Sequence, residues 1–181
     1  PASNAMTDTH LSDKAFAALD LPESLLAGVR EAGFDRCTPI QAGTLPIALA
    51  GRDVAGQAQT GTGKTAAFAL PILSKLDIKQ RAPQALVLVP TRELAIQVSE
   101  AFQKYAGGLP GFHVLPIYGG QSYTPQLNAL KRGTHVIVGT PGRIMDHLQR
   151  GSLKLDGVST VLFAAAEPVD PTAFYQSFLS A

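Results

Sequence analysis

The sequence predicts a three-layer α/β domain, with a central, mostly parallel sheet flanked by helices. Three observations carry that reading. Short apolar runs of strand length, such as Ala85–Val89 and His135–Gly139, lack the apolar–polar alternation of a half-exposed strand, so both of their faces are expected to be buried. These runs alternate with segments of helical period along most of the chain. The 181 residues, 45% apolar and 16% charged, suffice for one sizeable core, and no repeat or linker divides them.

The elements follow in order. Residues 1–5 precede Met6, and Ser3-Asn4-Ala5 reads as a vector-derived remnant, so the natural start is expected at Met6. Residues 6–15 are polar and expected to be flexible, and residues 16–181 form a single domain. A helix is predicted from Pro22 to Ala32, closed by Gly33. Thr38 as N-cap and Pro39 at the first helical position open a second helix, which runs to Ala50 and stops at Gly51. Asp53–Gln57 is a short strand and Gly63–Lys75 a helix. Then come strand Ala85–Val89, helix Arg92–Tyr105, strand His113–Tyr118 and helix Ser122–Lys131. Strand His135–Gly139, helix Gly142–Gln149, strand Val158–Phe163 and a short helix at Thr172–Leu179 complete the prediction.

Bulk properties limit the function. Fifteen Lys and Arg face fourteen Asp and Glu, a net charge of +1, so any nucleic-acid surface must be local rather than a general polycation. The one cysteine, Cys37, excludes an internal disulfide and a Cys-rich metal site; it suits a reducing cytoplasmic compartment and reads as a small packed residue. No apolar run approaches the roughly 18 residues of a membrane span, so no membrane contact is expected, and a monomer is. His10, His113, His135 and His147 show no metal-ligand spacing and are read as structural or solvated.

The segment AQTGTGKT at 58–65 lies between a predicted strand and a predicted helix. Glycines there let backbone N–H groups turn inward around an anion, and the helix adds its N-terminal dipole. In this reading Gln59, Thr60, Gly61, Thr62 and Gly63 cradle phosphate. Lys64 reaches the β and γ phosphates, and the Thr65 hydroxyl meets Mg²⁺. The simple pattern starts with Gly where this chain has Ala58, a residue small enough for the same loop. The bland alternative, a glycine-rich turn without a ligand, leaves Lys64 and Thr65 unexplained.

Four further segments share a pattern with this one: Gly33-Phe34 with Thr38-Pro39-Ile40-Gln41, PTRELA at 90–95, Gly119-Gly120, and TPGR at 140–143. Five such pieces in this order make the chain resemble, from Phe16 to Leu162, the first RecA-like domain of DEAD-box ATP-dependent RNA helicases. The resemblance implies a RecA-like fold, ATP or ADP as ligand, and RNA as partner, either single-stranded or as a duplex to be opened. It places Gln41 on adenine, where an amide can pair with the N6/N7 edge and disfavour guanine. Arg36 and Thr38 belong to the same nucleotide-binding stretch, with Phe34 stacking on the base. Phe16 matches the family's isolated upstream aromatic, and core packing is an equal reading for it.

Pro90, Thr91, Arg92 and Glu93 begin where one strand ends, and Thr91 can cap the following helix. Thr140, Pro141, Gly142 and Arg143 repeat that design at another strand end, and Gly119 and Gly120 permit close backbone approach. Capping alone would account for the first and third segments. The resemblance adds contacts to the sugar-phosphate backbone of single-stranded RNA, at the strand ends where open α/β sheets bind ligands.

The match breaks at the motif that names the family. Asp-Glu-Ala-Asp is expected after the last strand, and the chain has Phe163, Ala164, Ala165 and Ala166. Phe163 stands where the resemblance implies the Mg²⁺-holding Asp, and Ala164 where it implies the Glu that positions the attacking water. Ala166 replaces the last Asp, and only Ala165 matches. Loss of a general base alone costs on the order of 10²–10⁴ in rate. Glu167 and Asp170 could substitute only through a register slip that Pro168 opposes. No Ser-Ala-Thr motif and no second RecA-like domain occur in the chain, and RNA-stimulated hydrolysis in the family needs that second domain. The expectation is an RNA-dependent ATPase by family, with a weakened Mg²⁺ site and impaired hydrolysis here. A non-hydrolysing ATP- or RNA-binding regulatory module is the alternative. A DNA helicase or other RecA-like ATPase lacks support from Gln41, PTRELA and TPGR.

Overall fold

The computed structural model describes residues 11–54, 56 and 63–164. Their order is a 3₁₀ turn at Phe16–Ala18, α1 (Glu23–Glu31), α2 (Pro39–Leu49), α3 (Lys64–Lys75), β1 (Ala85–Leu88), α4 (Arg92–Tyr105), β2 (Val114–Ile117), α5 (Tyr123–Arg132), β3 (Val136–Gly139), α6 (Pro141–Gln149) and β4 (Thr160–Phe163). The expected helix at 172–179 lies outside the described residues, as do Ala55 and Gln57 of the expected first strand. Asp53, Val54 and Gly56, its remaining residues, are not in a strand.

The described strands form one parallel sheet in the order β2-β3-β1-β4. Parallel strands require crossovers, and each crossover here carries a helix, which covers the sheet on both faces. Side-chain alternation sorts the core into two layers. Ala85 and Val87 join Leu25, Leu70 and Phe102 under α1, α3 and α4. Leu86 and Leu88 turn the other way, onto Ile137 and Ile144 under α6. Gly139 ends β3 because α6 packs there at short range: a Cβ would stand 2.5 Å from Ile144 Cδ1.

Residues expected to be loose at the N-terminus are tied down where they are described. Ser12 N–H donates to the Cys37 carbonyl at 2.8 Å, Cys37 N–H to Lys14 at 2.8 Å, and Phe16 N–H to Asp35 at 3.0 Å. This strap passes over Cys37, which is fully buried, and burial raises its thiol pKa against the smaller opposing pull of Lys14. Among the described residues no helix is long and apolar enough to cross a membrane.

Candidate nucleotide and RNA site

The register brings Ile117, Gly139, Leu88 and Phe163 into one row across the sheet. The segments that follow these four residues therefore leave at a common edge. The described residues of the phosphate-loop helix and of the strand-end motifs lie along this rim or on the helices that border it, whereas Phe16, Phe34 and Arg36 lie on the 3₁₀ turn and the segment between α1 and α2.

On one side stand α2 and α3. Thr38 is the N-cap of α2 with Pro39 at the first position, and Gln41, three residues on, is fully buried. Gln41 Oε1 accepts from Thr38 N–H at 2.9 Å, one half of a capping box. For the other half, the buried Thr38 Oγ1 faces the Gln41 backbone N–H in a looser geometry than a hydrogen bond. Gln41 Nε2 donates to the Gly63 carbonyl at 3.0 Å and so ties α2 to the N-cap of α3. Gly63 takes φ +82°, and a Cβ there would collide with Gln41 Nε2. Glycine is thus required by both backbone conformation and space. Lys64 and Thr65 open α3, partly buried, and their side chains make no hydrogen bond or ion pair to another described residue. Gln59, Thr60, Gly61 and Thr62 lie outside the described residues.

The aromatics of this side pack in series. Phe16 is 2% exposed and belongs to the core, so packing is the reading the structure supports for it. Its ring meets Phe34 at 6.2 Å between centroids, and Phe34 meets Tyr105 at the same distance. Phe34 remains partly exposed, and Arg36 is exposed on the strap, bridged to Ala15.

The other side carries the three motifs assigned to RNA. Thr91 caps α4, its Oγ1 accepting from Leu94 N–H at 3.2 Å, which confirms the local reading of PTRELA. Arg92 and Glu93 are exposed in the first turn, and Arg92 lies 5.0 Å over the Tyr118 ring. Tyr118 immediately precedes Gly119 and Gly120, so the first and second RNA motifs touch. Gly120 has φ +79°, the conformation that a glycine turn supplies. Thr140 is the N-cap of α6 without a side-chain cap bond, Pro141 is at the first position, and Gly142 is exposed. Arg143 points inward: one guanidinium nitrogen donates to the Gln121 carbonyl at 2.8 Å and to Gln126 Oε1 at 3.3 Å. Its guanidinium also stacks 4.0 Å over Tyr123. Sequence reasoning named neither Tyr118, Gln121 nor Tyr123.

Phe163 ends β4 beside β1, and the N–H of Ala164, which follows it, donates to the Leu88 carbonyl at 3.0 Å. Phe163 packs into the layer under α6, and Ala164 into the layer under α3. Ala165 and Ala166 lie outside the described residues. A catalytic magnesium ion needs oxygen ligands in near-octahedral array. Thr65 brings a hydroxyl, whereas Phe163 and Ala164 bring no side-chain oxygen, so the donor set does not fit such an ion. Among the described residues no group of three or more His, Cys, Asp or Glu could hold a metal.

A model of the DEAD/DEAH box helicase family matches residues 38–165. The chain is 52% identical over 167 residues to the ATP-dependent RNA helicase DeaD of Mycobacterium tuberculosis, covering 92% of this chain and 28% of that protein. It is 54% identical over 152 residues to the DEAD-box ATP-dependent RNA helicase CshA of Geobacillus kaustophilus, covering 84% of this chain and 32% of that one. The crystal structure of a DEAD box protein from the hyperthermophile Methanococcus jannaschii superimposes with a TM-score of 0.81 at 36% identity, over 92% of this chain and 44% of the other. The chain therefore spans less than a third of the length of these two curated relatives.

Proposed function

The chain belongs to the DEAD/DEAH box helicase family, as an N-terminal RecA-like domain of the ATP-dependent RNA helicase kind, and on that premise we propose that it binds adenine nucleotide and the backbone of single-stranded RNA while hydrolysing ATP poorly. The observation that carries the nucleotide half is the hydrogen bond from Gln41 Nε2 to the Gly63 carbonyl. It couples the residue suited to reading adenine to the start of the phosphate-binding helix. Lys64 would meet the phosphates, with the Thr65 hydroxyl beside them. For Gln41 to reach a base, its side chain must share or exchange the bonds it now makes, so adenine binding and the geometry of Gly63 are linked.

The RNA half is supported by three motifs on one rim. Thr91 and Arg92, Gly119 and Gly120, and Gly142 at the start of α6 offer helix N-termini, exposed glycine backbone and a cation, which suit phosphate rather than bases. Weak hydrolysis is supported by Phe163 and Ala164 at the end of β4. Phosphoryl transfer depends on metal-centred charge neutralisation and a positioned nucleophile, and neither residue can contribute to them.

Isothermal titration with ATP, ADP and GTP, with and without Mg²⁺, tests the reading together with a turnover assay in single-stranded RNA. Adenine nucleotides should bind in preference to GTP, with little gain from Mg²⁺ and no RNA-stimulated turnover. Equal binding of GTP would end the adenine assignment, and clear turnover by this chain would end the argument from Phe163 and Ala164.

A further inference from the structure

We propose that Gln126 of α5 and His147 of α6 are positioning residues that set the Gly119–Gly120 turn and the Arg143 guanidinium. The consequence for RNA rests on the functional reading above; the positioning itself does not. Both side chains are buried, at 1% and 0% exposure. Neither belongs to a motif that the sequence singled out.

Donor and acceptor roles follow from the neighbours. The Tyr118 carbonyl can only accept, so the amide nitrogen of Gln126, 3.1 Å away, faces it. That nitrogen also donates to Gln121 Oε1 at 2.8 Å. Tyr118 and Gln121 flank Gly119 and Gly120, so one buried amide holds both ends of the turn. Packing does not: a Cβ built on either glycine would meet nothing within 4 Å.

Gln126 Oε1 consequently faces Arg143, 3.3 Å away, and His147 Nε2, 2.7 Å away. As an acceptor it requires a proton on Nε2. His147 Nδ1 is then left as an acceptor, and the single Ser152 hydroxyl proton, which faces both Nδ1 at 2.7 Å and the His147 carbonyl at 3.1 Å, goes to the shorter contact. The result is a directed chain of hydrogen bonds from Ser152 through His147 and Gln126 to the turn. Arg143 joins it sideways and grips the same turn through the Gln121 carbonyl. Burial, with the Arg143 and Arg150 charges, lowers the His147 pKa, in keeping with the neutral Nε2–H form. With His147 neutral every member of the network has a partner, which is what gives a buried polar network its specificity.

Two substitutions separate this role from simple space filling. A Gln amide nitrogen can take the place of imidazole Nε2, whereas an Asn amide reaches only as far as Nδ1. His147→Gln should therefore keep the Gly119 and Gly120 amide resonances and the Arg143 Nε signal near their wild-type positions in a ¹H–¹⁵N spectrum of the full chain. His147→Asn should shift all three and weaken binding of a labelled single-stranded oligouridylate several-fold, with ADP affinity unchanged in both. If the Asn variant does not fold, Gln126→Glu serves instead. It keeps an acceptor for Arg143 and His147, loses both donations to the turn, and should shift the same glycines. Identical spectra for the Gln and Asn variants, or unmoved glycines in Gln126→Glu, overturn the proposal. A wild-type chain that does not bind the oligouridylate sinks the RNA reading, and the glycine shifts still decide this one.

Discussion

On the β2–β3 side of the rim, polar side chains bond to one another: Arg143 to Gln126, Gln126 to Gln121, His147 to Ser152. On the β1–β4 side the pattern differs. Lys64 and Thr65 bond to no other described side chain, and β4 ends in Phe163, followed by Ala164. A surface that binds an extended backbone needs its donors fixed beforehand, because each mobile side chain immobilised on binding costs about 0.5–1.5 kcal/mol. A phosphate cradle completes its charge balance only when the anion arrives. On the proposed reading the contrast separates binding geometry from catalytic chemistry: the polar contacts of one side are ordered beside a β4 that carries no carboxylate.

The largest expected effect tests the nucleotide side. Lys64→Ala removes the one cation at the start of α3. Truncating one member of a desolvated charge pair costs about 2–5 kcal/mol, so ATP and ADP affinity should fall at least about 30-fold by titration calorimetry. Melting of the unliganded chain should barely move, since the Lys64 side chain makes no bond to another described residue. Unchanged ATP affinity would mean that the cradle is elsewhere and the contrast is false.

Phe163→Asp with Ala164→Glu attacks the same contrast from the catalytic end. Restored carboxylates should make ATP binding about tenfold tighter in Mg²⁺ than in a chelator, an effect of about 1.4 kcal/mol. The double variant should also lose roughly 1–3 kcal/mol of stability by urea unfolding, because Phe163 leaves the apolar layer under α6. If magnesium still makes no difference, something other than the carboxylates separates the two sides.

Gln41→Ala links the two ends of the nucleotide side. It deprives Thr38 N–H and the Gly63 carbonyl of their partner, at a cost of about 1–3 kcal/mol of stability, and it should bring ATP and GTP affinities toward parity. Gln41→Glu sharpens this. It can still accept from Thr38 and cannot donate to Gly63, so the α2 cap should persist while nucleotide discrimination is lost.

Acid should expose the buried order of the RNA side. His147 loses its proton at lower pH in the folded chain than in the unfolded one, through burial first and then Arg143 and Arg150, with Asp146 opposing. From α5, Tyr123 meets its ring edge-on at 5.4 Å, and Gln126 is uncharged. Below the ordinary value of 6.5 the unfolded chain therefore binds more protons at this residue, and stability falls with falling pH. Between about pH 7 and pH 5 the wild-type urea midpoint should drop more than that of His147→Gln. His113 and His135 are common to both chains and cancel. Parallel profiles would remove His147 from the acid response.

Much of this architecture was legible from residue order. Apolar runs without alternation announced a sheet buried on both faces, and the strand-end motifs fell on one rim because parallel strands end together. Two kinds of feature were not legible. Arg143 reads as an outward cation from TPGR alone, and only the packing of α6 against α5 turns it onto Gln121. His147 carried a faint signal: it lies three residues after Ile144, on the apolar stripe of α6, where a polar side chain must find buried partners. Which partners, across a separation of 21 residues to Gln126, is set by tertiary contact and not by spacing. Likewise Phe16 was compatible with the family's isolated upstream aromatic or with core packing, and it is buried in the core.

The smallest expected effect distinguishes the two arginines of the RNA side. Arg92 is exposed, and its contact with Tyr118 at 5.0 Å is worth only about 0.5–1 kcal/mol. Arg92→Ala should leave the melting curve nearly unchanged and the Gly119 and Gly120 resonances close to wild type. Removing one phosphate contact from a single strand should flatten the dependence of log affinity on log salt by about 0.7, with a loss of only a few-fold at moderate salt. Arg143→Ala should do the reverse: its guanidinium is spent on Gln121 and Gln126, so the glycine resonances should shift while the salt slope stays near the wild-type value. If both variants flatten the slope equally, Arg143 reaches phosphate as Arg92 does, and the inward bonds it makes here give way when RNA binds.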